Sequence, residues 1–138
     1  MSNIISLRDK QPDNEKITIN LGFVDLGRID LLVQEGFYSN RTDLIRMAIR
    51  KQLDTHTADV AKTIDRHTME LGLRDYSVAD LEALRDAGEV LHVKVVGLAR
   101  IALDVSPDLA AQTIGSINVL GTLQASKEVK AVLADRIN

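Results

Sequence analysis

The chain has 138 residues, enough for one ordinary domain or two small ones. Hydrophobic residues make up 45% and aromatics 3%, with no Trp, so any core must be aliphatic. The absence of cysteine excludes a disulfide framework, a thiolate zinc site and a cysteine nucleophile, and a formal net charge of -3 is not the balance of a general polyanion binder.

The first residues, MSNIISLRDKQPDNEK, lack the apolar core of a signal peptide. Residues 1–14 read as a flexible arm. No apolar run approaches the ~20 residues of a membrane span. A cytoplasmic protein is the expectation, in keeping with the missing cysteines.

KITINLG, residues 16–22, alternates polar and apolar positions. Ile17, Ile19 and Leu21 share one parity, and Lys16, Thr18 and Asn20 the other. That is the period of a half-buried strand. The next 30 or so residues read as helix, so such a strand has no ladder partner nearby in sequence. Buried backbone groups need one.

In FVDLGRIDLLVQEG, Leu26, Ile29, Leu32 and Val33 recur at helical spacing, and Gly36 suits a helix end. A second helix is expected in FYSNRTDLIRMAIRKQLD. Ser39 or Asn40 can cap it, and Asp43 can complete a capping box with Asn40. Leu44, Ile45, Ala48, Ile49 and Leu53 form its apolar stripe.

Residues 54–89 read as a helical linker. His56, Val60, Ile64, His67 and Leu71 keep a sparse stripe up to Gly72. The pattern suits one helix running on from Arg41 to Leu71, or a restart near Thr55 to Thr57. SVADLEALRDAG then starts at a Ser77–Asp80 capping box and stops at Gly88.

From Val90 the texture changes to a small α/β region, residues 90–138. HVKVVG and SINVLG each place a Gly after an alternating apolar run, and SPDL and SKEV each supply a helix cap. The pattern reads as two strand–turn–helix units, and it also suits a turn or two of a small β-solenoid. The expected core is Val93, Val95, Ile101, Leu103, Val105, Leu109, Ile114, Ile117, Val119, Leu123, Val129 and Leu133. The fold class is therefore α+β.

The order of strand, helix and helix over residues 15–53 resembles the ribbon–helix–helix family of DNA-binding proteins, the MetJ, Arc and CopG type. The resemblance rests on KITINLG, on Asp30 within the first helix, on the turn EGFYSNRTDLIR and on Leu44, Ile45, Ala48 and Ile49. It implies that the strand pairs antiparallel with its copy in a second chain, giving an intertwined homodimer. It implies that Lys16, Thr18 and Asn20 read bases in the major groove of double-stranded DNA. Their chemistry suits that role: Lys can donate to guanine, Asn can pair with adenine, and Thr can serve either edge. It also implies a phosphate clamp at the start of the second helix, on Ser39, Asn40, Arg41 and Thr42, where free N–H groups gather. Where the family usually has Pro after the strand, this chain has Gly22. Residues 15–53 carry six basic and five acidic side chains, so specific contacts must supply much of the affinity.

Other chemistry has less support. His56, His67 and His92 show no tight ligand spacing, and no metal or other cofactor is expected. Serines stand in capping contexts and carboxylates lie along helices, so no enzyme is expected. The reading is a sequence-specific transcriptional regulator, a repressor, whose C-terminal region assembles dimers into tetramers or larger species or else senses a ligand. An antitoxin with a toxin partner and a DNA-organising, plasmid-partition protein are the alternatives. Residues 90–138 look folded and aliphatic, unlike the polar tails of antitoxins.

Overall fold

The computed structural model describes residues 14–138, so the expected N-terminal arm lies outside the described residues except for Asn14. These residues fall into two compact units, Asn14–Thr63 and Ile64–Asn138. Among them, no helix is long and apolar enough to cross a membrane.

The first unit holds helices α1 (Phe23–Gln34) and α2 (Arg41–Asp54) and the start of α3 (Thr57–His67). The chain does not run as one helix from Arg41 to Leu71. It breaks at Thr55 and His56, where the Thr55 hydroxyl donates to the Gln52 carbonyl at 2.6 Å.

The second unit repeats one motif three times. Strand β1 (Glu70–Tyr76) leads to α4 (Val78–Ala87), β2 (Leu91–Ile101) to α5 (Pro107–Thr113), and β3 (Ile114–Gln124) to α6 (Lys127–Val132). Each helix starts at a serine: the side chains of Ser77, Ser106 and Ser126 accept from the backbone N–H of Asp80, Leu109 and Val129. Such caps satisfy donors that the first helical turn cannot. The strands form a parallel sheet in sequential order, β1-β2-β3. Residues 70–76 are therefore a strand, which corrects the expectation of helix up to Gly72. The segment 54–89 is not a purely helical linker.

The three glycines of the motif lie in one row, Gly72 against Gly97 against Gly121. All three have positive φ, at 126°, 135° and 117°. That backbone shape strains any residue with a Cβ. A Cβ on Gly97 would run into the Gly72 carbonyl, and one on Gly121 into the Gly97 carbonyl.

The core lies between the sheet and its helices. Val93, Val95, Ala99 and Ile101 of β2 pack with Tyr76, Ile114 and Ile117. Leu81, Leu109, Ala110, Val129 and Leu133 close it from the helix side. Nine of the twelve residues expected in the core are buried, and Val119 and Leu123 pack against it partly buried. Leu103 does not belong there: it is 51% exposed in the loop after β2. A bulge shifts the register between Leu91 and His92, which lets Ile114 and Ile117 both face inward despite their odd spacing. Thr113, the one buried polar side chain among the described residues, donates to the Leu109 carbonyl at 2.7 Å.

Candidate nucleic-acid interface

Asn14–Thr63 is unusual for what it fails to bury. None of its residues is buried, in any of its helices or before them. Ile17 is 71% exposed, Ile19 55% and Leu21 38%. Phe23, Val24, Leu31, Met47, Ile49 and Leu53 are exposed as well. Leu26, Ile29, Val33, Leu44 and Ile45 are only half-buried where the stripes of the two helices lie.

Residues 15–22 carry neither helix nor strand in the single chain. The expected ribbon needs a second strand, and among the described residues none pairs with this segment. Lys16, Thr18 and Asn20 are all exposed on this segment. Gly22 has φ -64° and ψ 156°, an ordinary extended conformation, and α1 starts directly after it at Phe23.

A cleft of about 760 Å³ lies between this segment and α2. Ile17, Ile19, Ile45 and Ile49 give it apolar walls, while Lys16, Arg46 and Arg50 outnumber Glu15 among its charged residues.

The start of α2 is capped by two side chains. Asn40 Oδ1 accepts from the Asp43 N–H at 2.8 Å, and Asp43 Oδ2 accepts from the Ser39 N–H at 3.0 Å. The expected capping box thus closes on Ser39 rather than on Asn40 itself. Among the described residues, no acceptor takes the backbone N–H of Arg41 or Thr42, the donors a phosphate would meet. The Arg41 side chain is engaged: Nε donates to Asp30 Oδ1 and Nη2 to Asp30 Oδ2, each at 2.8 Å. These bonds hold the Asp30 carboxyl below the usual carboxylate range and raise the Arg41 guanidinium above its own. The ion pair ties α1 to the head of α2. The sequence marks Asp30 as part of a pattern and Arg41 as a clamp, but not the two as partners. Their separation of eleven residues across a turn carries no local signal.

His56 Nδ1 lies 3.1 Å from Asp59 Oδ2, and His92 Nδ1 lies 2.7 Å from Ser116 Oγ. Among the described residues, no three His, Asp or Glu side chains gather as a metal would require.

A profile of the Ribbon-Helix-Helix transcriptional regulator family matches residues 12–130. The chain belongs to that family. No curated protein and no solved structure gave a significant match. Ribbon–helix–helix regulators bind DNA, generally as dimers. The family match also runs through β1, β2 and β3 and into α6, so the strand–helix repeat belongs to this family's pattern and is not an unrelated appendage.

Proposed function

We propose that the protein is a sequence-specific transcriptional repressor that reads the major groove of DNA with a two-stranded ribbon from a homodimer. The observation that carries this reading is the exposed alternation of residues 16–21. Among the described residues, nothing buries Ile17, Ile19 or Leu21. A second copy of the segment covers them and completes the backbone ladder. It also turns Lys16, Thr18 and Asn20 outward together, six side chains from two chains. A ribbon of that width fits the major groove.

The head of α2 then anchors the DNA backbone. The N–H groups of Arg41 and Thr42 and the hydroxyls of Ser39 and Thr42 are the donors offered to a phosphate. Asn40 holds the cap that presents them. Arg41 keeps further guanidinium donors beyond the two spent on Asp30. The Asp43 carboxylate sits at the same helix end and limits general attraction for anions, which favours site-specific over indiscriminate binding. The C-terminal unit, with its own apolar core, acts in assembly. A folded unit of this kind also counts against the toxin-wrapping tail of an antitoxin.

The test is a mobility shift with the full chain on duplexes selected from a random pool, with light scattering alongside. A dimer that retains a two-fold-related sequence is the expected result. A dimer that shows no sequence preference at moderate salt overturns the base-reading assignment.

A further inference from the structure

Parallel sheets almost always have both faces covered, because their strands are built for burial. The sheet of the C-terminal unit has helices on one face only. On the other face, Leu71, Val96 and Leu120 form one cross-strand row, and Leu73, Leu98 and Thr122 the next. Leu71 is 69% exposed, Leu120 60% and Leu73 49%, so no part of the described chain covers them. Polar rows bound the patch. Arg100 links Asp75, at 3.9 Å, with Gln124, at 3.1 Å, at one end, and Lys94 and Asn118 lie at the other.

We infer that this face packs against the same face of a second copy, within the dimer, so that two sheets meet back to back. Size selects the occupant. Three strands about 4.8 Å apart, at roughly 3.3 Å per residue, present a face on the order of 300 Å². A freestanding interface needs about 800 Å² per partner. The patch is too small to recruit a free protein, but it suffices for a neighbour already held nearby, where linkage replaces affinity with local concentration. The second copy in a ribbon–helix–helix dimer is such a neighbour. The strands can cross the two-fold antiparallel, which sets Lys94 of one copy toward the row of Asp75, Arg100 and Gln124 in the other. The inference rests on the proposed ribbon dimer and gives its assembly unit a defined surface.

The native chain has no cysteine, so single cysteines report without background. Full-length Leu98→Cys and, as a second position on the face, Leu120→Cys are treated in dilute solution with a short-arm bis-maleimide. Glu128→Cys, exposed on α6 in the helical layer, is the control. Light scattering is run on each. Covalent dimer as the main product at 98 and 120, with traces at 128, is expected. A dimer by scattering with no cross-link at either face position overturns the inference and leaves the ribbon dimer standing. A monomer by scattering overturns both. A cross-link that joins dimers into tetramers overturns the placement within one dimer.

Discussion

Arg41 grips Asp30 with two parallel hydrogen bonds of 2.8 Å, which pin the head of the second helix to the middle of the first. Both side chains are about half exposed, so the pair is a positioning device more than a source of stability. Because the bonds to Arg41 depress the folded-state pKa of Asp30, its contribution is complete above the unfolded value and fades as pH falls through the folded one. Asp30→Asn should therefore unfold slightly more easily than the native chain at neutral pH and show no difference in strong acid. Thermal melts at pH 7 and below the carboxylate range compare the two. An equal gap at both pH values would contradict the pairing.

Lys16→Ala and Asn20→Ala should each weaken binding to the selected site by roughly 1–3 kcal/mol, about 5- to 150-fold in Kd. The dimer should survive in both, since these side chains are exposed. Titration by fluorescence anisotropy gives the loss, and light scattering checks the dimer. Full binding by a variant with Lys16, Thr18 and Asn20 all changed to Ala would remove them as readers.

Ile19→Asp tests the opposite parity. In a ribbon dimer it forces a carboxylate into the shared core, a change that removes most of the stability of a small interface. The expected outcome is a monomer by light scattering with no DNA shift. The C-terminal unit should keep its folded circular-dichroism signal, since its core draws on none of these residues.

The glycine row separates two effects. Ala at any of the three positions meets a strained φ, at roughly 1–3 kcal/mol. At 97 and 121 the added methyl also strikes a backbone carbonyl, whereas at 72 nothing lies within 4 Å. Urea unfolding should rank Gly72→Ala as the mildest of the three. Equal losses would mean that backbone shape alone matters.

Helices α1 and α2 were legible because their apolar spacing and caps are local signals. Most of the C-terminal core was legible for the same reason: alternation marks Val93 and Val95, and a capped helix marks Leu109 and Val129. The restart of helix after Thr55 and His56 was legible too, but residues 70–76 were not. The stripe that Ile64 and His67 carry in α3 runs on to Leu71 and imitates further helix, and Gly72 imitates a helix stop. The signal that identifies the first repeat is the distance from Gly to the capping Ser. It is five residues from Gly72 to Ser77 and five from Gly121 to Ser126, while the middle copy carries four more. Leu103 falls in that longer middle loop, so it keeps the apolar pattern without reaching the core. The Asp30–Arg41 pair lay beyond any periodicity, because it depends on how two helices meet.

The stacking of three units has a consequence for how the C-terminal unit opens. β2 is paired on both sides, and α5 packs against α4 and α6, whereas the first and third units each have one neighbour. In such a linear array, opening costs one junction at either end but two in the middle. Amide exchange should therefore retreat inward, with β1 and β3 exposed first and Val93 to Val96 protected until the whole unit melts. The unit behaves less like a globule with a single melting event than like a short zipper, loosened from its ends and fastened at its centre.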